Sequence, residues 1–463
     1  MSKPKVITFK NGAILVYRKD TRNDYSSIRV GFNAGHMVNT HNGIAHFLEH
    51  MLFKKTKLHN KDELVEIREK IIPSFNAFTS IDFMLLDFIR TNKLFSKAME
   101  LAAEMLTKNE LDEKYIETEK GVIKEEYFIS KDKSKDDLNY QHGFILKGEN
   151  KVLIENSLGT PEDIDGITKE KLEEFKSKFY CLNNLIMFYV GNLSQTKVKR
   201  ALKKFFFPNL EQLPNFERQL YKSEITKAPS MQVCENKNNS ITIRLSFKFD
   251  MLYHDFIKDY NHRFLTKYFN RNKNMLYNVL RSKGLTYSTG TKTVSYENAS
   301  LFNINIKTSK ENIENVLKEI NKSLKIVTSS KMSEEELKQM KANYFYNKDE
   351  TIGSSKSERN DYLIDNIAEN DFKKIDFFTD REYKKFVNKP TTQSIYDLAR
   401  KIFNKNNLPY ITFLGNLTEK DVPTYDQICK TIYRGVKWET NNFFQIIQKH
   451  WHLSSVFIFL NLF

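Results

Sequence analysis

Two duplicated domains, each combining strands with helices, are what this 463-residue sequence predicts. Three observations carry that expectation. Ile28-Arg-Val-Gly-Phe32 returns as Ile243-Arg-Leu-Ser-Phe247, 215 residues on. Gly191-Asn192-Leu193, closing an apolar run, returns as Gly415-Asn416-Leu417, 224 residues on and closing another. Two echoes in the same order at nearly the same offset mark an internal repeat. The length also suits such a division, at about 100–200 residues per domain. The halves fall at 1–215 and 230–437, joined through Pro208, Pro214 and the polar stretch up to Pro229, with an apolar tail at 438–463.

Taken in order, residues 5–18 read as strand, turn and strand, with Asn11-Gly12 as the turn. Residues 27–35 alternate as a third strand. Residues 43–53 form an apolar helix around His46-x-x-Glu49-His50. Phe75 to Asp82 leads into the apolar run Phe83 to Ile89, read as extended chain. Residues 97–128 read as two helices with a polar break. A helix over Lys169–Phe179 starts at Thr168, whose hydroxyl suits an N-cap. The run from Leu185 to Val190 is apolar throughout, as in a strand covered on both faces. Arg281 to Gly284 reads as a helix end, with Gly284 as its cap and a strand after it.

Chemistry concentrates on the helix at 43–53. Residues four apart stand about 40° from one another around a helix, so His46 and His50 share a face; Glu49 lies about 60° to the other side of His46. Two imidazoles so placed can hold one zinc ion and leave positions for a third ligand and a water. Glu49 is then placed to take a proton from that water. The remaining residues of the stretch are apolar, and burying two histidines and a carboxylate among them without partners is costly. A lone H-x-x-E-H is otherwise as readily a set of hydrogen-bonded core residues, so the test is a third ligand downstream. Glu119 and Glu126, seven apart, share one helix face, with Val122 and Ile123 beside them to turn that face inward. A buried carboxylate requires a cation, and zinc accepts Glu oxygen. Glu125 breaks this register and reads as a solvated charge.

These residues resemble the inverted zinc motif of the inverzincins. More closely, residues 5–437 are similar to the pitrilysin/insulin-degrading family of zinc metallopeptidases, which includes the mitochondrial processing peptidases and their bacterial relatives. The resemblance implies an α+β fold in which two domains, each a mixed β-sheet flanked by helices, face each other around a cavity. It implies one Zn2+ per chain held by His46, His50 and Glu126, the last 76 residues past His50, with Glu119 supporting from seven residues earlier. Glu49 is the implied catalytic base. Asn76 and Ala77 match an edge strand that pairs with the substrate backbone, and Arg281 and Tyr287 match a pair that reaches the substrate carbonyl. Here that interval is six, one short of the family's, although Leu285 to Ser288 matches well. The link at Gly35 to Asn42 is shorter and less acidic than usual, and His36 and His41 read as loop residues. The second half lacks the motif: Asn261 to Phe269 stands where it would recur. The function implied is a zinc endopeptidase acting on short or unfolded peptides in an enclosed chamber, paired as a homodimer or with a related chain. The alternative is a non-catalytic assembly subunit of the same fold. Such subunits lose motif residues, and all four are present here.

Composition excludes other classes. The net charge of +15 comes from 73 basic and 58 acidic residues that are interspersed, with no long basic block and no nucleic-acid-binding motif. No nucleic-acid partner is expected. Cys181, Cys234 and Cys429 are odd in number and far apart, which fits no disulfide framework. The N-terminus lacks the apolar run of a secretory signal, and no apolar stretch reaches about 18 residues, so an intracellular, cytoplasmic setting without a transmembrane segment is expected. The tail, with His450 and His452, is apolar but too short to span a bilayer.

Overall fold

Asn11 and Gly12 turn the chain between β1 (Lys5–Thr8) and β2 (Ile14–Lys19), which pair antiparallel with Val6 opposite Val16. Asn11 Oδ1 accepts from the Ala13 amide at 3.2 Å, and Gly12 takes φ +84°, which costs glycine little. This computed structural model describes residues 4–22, 24–135, 137–147, 155–214, 216–218, 224–296, 298–353 and 380–436; the tail at 438–463 lies outside them.

Around this hairpin grows a six-stranded sheet in the order β1-β2-β6-β3-β5-β4. It contains β3 (Tyr25–Phe32), β4 (Phe75–Thr79), β5 (Met84–Thr91) and β6 (Leu185–Gly191). All seven residues of β6 are buried, and it runs parallel to β2 and antiparallel to β3. β4 closes the sheet and, among the described residues, pairs only with β5, Ala77 opposite Leu86. The associated helices are α1 (Ile44–Met51), α2 (Lys61–Ile71), α3 (Phe95–Thr107), α4 (Glu113–Lys135), then, beyond α5 (Leu138–Lys147), α6 (Lys169–Phe179) and α7 (Gln195–Phe205). Thr168 caps α6 by accepting from the Lys171 amide. The core between sheet and helices is aromatic and aliphatic, with Phe32, Phe47, Phe88, Phe95, Phe175 and Tyr189 among its fully buried members. Each such side chain removed from water contributes on the order of 2 kcal/mol.

The second sheet has five strands in the order β7-β11-β8-β10-β9: β7 (Met231–Glu235), β8 (Ile241–Phe249), β9 (Ser288–Ser295), β10 (Ser300–Thr308) and β11 (Tyr410–Gly415). Its pairing repeats that of the first. β11 is parallel to β7 and antiparallel to β8, as β6 is to β2 and β3. The echoed segments therefore occupy equivalent places, one on β3 and β8, the other starting at the last residue of β6 and of β11. The helices along this part of the chain are α8 (Asn261–Arg271), α9 (Leu276–Ser282), α10 (Ile313–Ser329), α11 (Glu334–Gly353), α12 (Thr392–Ile402) and α13 (Tyr425–Ile432).

The compact units do not follow the linear halves. One comprises residues 1–133, 149–222 and 343–385; the other comprises 134–148, 223–342 and 386–463. Accordingly α5 (Leu138–Lys147) packs on β7, β8 and β11 of the second sheet. Among the described residues, no helix is long and apolar enough to cross a membrane.

Candidate metal centre

α1 owes its position to a glycine. Gly43, at its N-cap, has φ +78°, and a Cβ there would lie 2.3 Å from the Leu158 carbonyl oxygen. The chain can therefore enter the helix at this angle only without a side chain. Ile44, Ala45, Phe47, Leu48 and Met51 are then buried, fixing the rotation of the helix. What remains on its other face is the pair His46 and His50, each with 17% of its side chain exposed and their rings 4.6 Å apart.

α4 brings the third group. Glu126 Oε2 lies 3.8 Å from His46 Nε2 and 3.7 Å from His50 Nε2. These separations are too long for hydrogen bonds, yet close to the roughly 3.3 Å between ligand atoms that tetrahedral bonds of about 2.05 Å to one ion would give. Among the described residues, His46, His50 and Glu126 are the one group of three or more metal-type donors, their ligand atoms all within 4.8 Å of one another. Burial, and secondarily His50, push the His46 pKa down to about 3, so its imidazole is neutral and has a lone pair to give. Two imidazole nitrogens and one carboxylate oxygen form a donor set suited to Zn2+.

Glu119 organises the pair from behind. Its Oε2 is 2.9 Å from His50 Nδ1, and its other oxygen is ion-paired to Lys54. A proton on Nδ1 donated to this carboxylate leaves the Nε2 lone pair facing Glu126. Burial alone would raise the Glu119 pKa, but the His50 and Lys54 contacts outweigh it and hold the group below its ordinary value. On the same α4 face Ile123 is buried, as the sequence spacing implies. Val122 is not: it is 43% exposed, because the inward face of the helix is narrow and 122 falls past its edge. Glu125 is exposed.

Glu49 is buried and accepts from Thr79 Oγ1 through Oε2 at 2.6 Å. Burial raises its pKa despite that hydrogen bond. Thr79 stands on β4, two residues past Ala77 and so on the same face of that strand. Asn76 is exposed on the same edge strand. Thr79 and Lys54 are contacts the sequence reading did not anticipate. Both carried a signal, Thr79 in strand parity with Ala77 and Lys54 one turn beyond His50.

The remaining candidates stand elsewhere. His36 is buried, and His41 Nε2 meets the Asp163 carbonyl at 2.7 Å; neither joins the three-residue group. Arg281, on the last turn of α9, donates from Nη1 to the Tyr277 hydroxyl at 3.2 Å. Tyr287 precedes β9 and is 75% exposed. Gly284, with φ +67°, ends α9: its amide donates to Arg281 O and the Leu285 amide to Leu280 O, the paired bonds of a Schellman cap. In the second unit α8 occupies the place of α1, and its buried His262 bonds Thr293 Oγ1 and Phe256 O instead of facing a second histidine.

A duplicated sheet-and-helix fold with two histidines on one helix and a remote glutamate on another sets the class: a mixed α/β protein with two sheets and one candidate metal centre among its described residues. Residues 14–142 match the family described as Insulinase (Peptidase family M16), and residues 166–344 match the Peptidase M16 inactive domain. The chain belongs to peptidase family M16. It is 28% identical over 205 residues to the uncharacterized zinc protease YmxG of Bacillus subtilis, covering 43% of this chain and 49% of that one. It is also 28% identical over 207 residues to the mitochondrial-processing peptidase subunit beta of Dictyostelium discoideum, covering 44% and 43%. The chain thus spans about half the length of these curated relatives. In three dimensions it resembles the first half of the periplasmic protease PqqL from Escherichia coli, with TM-score 0.74, 17% identity, and 95% and 98% of the two chains covered.

Proposed function

We propose that this chain is a zinc-dependent endopeptidase that hydrolyses short or unfolded polypeptides. The observation that carries the reading is the convergence of His46 Nε2, His50 Nε2 and one Glu126 oxygen beside the buried carboxylate of Glu49. His46, His50 and Glu126 would hold the ion, and Glu119 would orient His50. A bound Zn2+ supplies an acidified water and polarises the peptide carbonyl. Glu49 receives the proton of the attacking water at the oxygen that Thr79 leaves free and returns it to the departing amine. Its raised pKa suits a group that must first accept and then donate. An extended substrate lies against the open edge of β4 at Asn76 and Ala77, held mainly through its backbone, so selectivity from this contact is low. Arg281 and Tyr287 assist at the substrate carbonyl.

In this reading residues 1–215 carry the chemistry, and residues 230–437 bind substrate across an enclosed chamber, closed by a second copy or a related chain. The test is cleavage of a quenched unstructured peptide by wild type and Glu49→Gln, with zinc measured on both. Zinc near one per chain in both, with cleavage reduced about a thousandfold or more in the variant, is the expected result. Zinc without cleavage in wild type would point to a missing partner chain or to a non-catalytic assembly subunit, and zinc in neither would end the reading.

A further inference from the structure

A basic concavity in the second unit has no part in the peptidase reading. It has a volume of about 940 Å³ where α10 meets the C-terminal ends of α9 and α13. Lys318, Lys322 and Lys325 recur along α10 at helical spacing and so form one row. Lys430 and Arg434, four apart at the end of α13, form a second, and Lys283 caps α9 between them in the lining. Against these six cations, one carboxylate lines the cavity among the described residues. Glu319 is buried and bonds both Lys283 and Lys322 at 2.7 Å. Lys318 reaches only Glu314, at 3.9 Å on the surface. Lys325, Lys430 and Arg434 have no ion-pair partner among the described residues.

The backbone that carries the two rows is held in place. Buried Asn321 on α10 donates to the carbonyls of Ile432 and Arg434 at 2.8 and 3.1 Å, pinning the end of α13 against α10 and fixing one basic row relative to the other. Helix C-termini offset part of the charge, about half a unit each. The two at this cavity, those of α9 and α13, leave most of the excess uncompensated. A concave wall lined by one sign of charge concentrates counter-ions.

The lining also selects among anions. Five of the six cations are lysines, compact point charges of the kind that hold phosphate, and among the described residues no aromatic ring on which a base could stack lines the cavity. We propose that this concavity binds a compact polyanion bearing several phosphate groups, recognised through the phosphates alone.

The full chain titrated calorimetrically with inorganic tripolyphosphate at about 0.15 M salt tests this. The expected result is saturable one-to-one binding that weakens steeply with salt, and a similar affinity for a nucleoside triphosphate of equal charge. Lys322→Gln/Lys325→Gln/Lys430→Gln should lose at least about tenfold in affinity, while Glu319→Gln, which removes the opposing charge, should gain severalfold. Soluble inositol hexakisphosphate and vesicles carrying a phosphoinositide separate the two sources of such a ligand. Binding to either supports the site, and binding to both places the phosphates of a lipid headgroup within reach. Binding equal in wild type and the triple variant would mean an adventitious ion on a chain of net charge +15. Equal recruitment to phosphatidylserine vesicles of matched charge would reduce it to general surface attraction. Either would overturn the proposal, as would no saturable binding.

Discussion

His50 has both ring nitrogens committed, Nδ1 to Glu119 at 2.9 Å and Nε2 towards Glu126, and that fixes its tautomer. Glu119→Gln keeps the shape but can no longer accept as a carboxylate; outer partners of this kind are worth roughly 10–100-fold in metal affinity. Competition with a chromophoric chelator should show a loss in that range, and retention equal to wild type would remove Glu119 from the site. Thr79 acts one step further out. Thr79→Val removes the donor to Glu49 Oε2 and leaves the carboxylate free to rotate. The expectation is kcat down about tenfold, the value of one ordinary charge-assisted hydrogen bond, with KM unchanged and with Thr79→Ser close to wild type. A change in KM alone would place Thr79 with the substrate instead.

At the scale of the element, what the sequence revealed is what local spacing determines. The helical face of His46 and His50, the cap at Thr168, the turn at Asn11-Gly12 and the fully covered β6 all follow from neighbours within about one turn. Glu126 was legible only because Glu119 marks the same face seven residues earlier. Val122 was misread, since spacing gives the centre of a buried face but not its width, which the packing of other elements decides. Gly43 was silent because its need is tertiary: the Leu158 carbonyl that excludes a side chain is 115 residues away. Gly43→Ala should combine an unfavourable φ with a backbone clash and destabilise by on the order of 2 kcal/mol or more. A lowered urea midpoint together with reduced zinc content is the expected outcome, since the same glycine sets the entry of the histidine helix. An unchanged midpoint would show that α1 can shift to make room.

Across the whole molecule the repeat is plain in the topology, yet the placement of α5 was beyond local reading. Nothing around residue 138 signals that this helix joins the second sheet, because its partners are strands 91 to 270 residues later. The junction centres on His142, which is buried and bonds Thr412 Oγ1 of β11 through Nδ1 and Ser246 Oγ of β8 through Nε2, both at 2.7 Å. Ser246 in turn donates to Asn303, and Arg244 donates to Asn139 of α5 itself. Burial, then the Arg244 charge, push the His142 pKa down to about 3, and burial does the same to His262 on α8. Both rings are thus neutral in the native state, whereas in the unfolded chain they titrate near 6.5. Below that pH the unfolded state takes up protons that the native state refuses, so stability is full above pH 6.5 and is lost as pH falls towards 3. By pH 5 each histidine should have withdrawn about 2 kcal/mol. Glu119 and Asp163, whose pKa values are lowered, act in the same direction but only below about 4.5, the ordinary carboxylate value; between pH 6.5 and 5 His46 adds to the loss and the raised Glu49 opposes it, so the difference between wild type and a His142 variant is what isolates that ring. Urea unfolding followed at pH 7 and pH 5 should show a clearly lower midpoint in acid. His142→Gln, less stable at pH 7 because the Ser246 and Thr412 contacts are imperfectly replaced, should show a smaller drop between the two. Equal drops in variant and wild type would mean that His142 is not the proton acceptor, and that the joint between α5 and the second sheet owes its stability to packing alone.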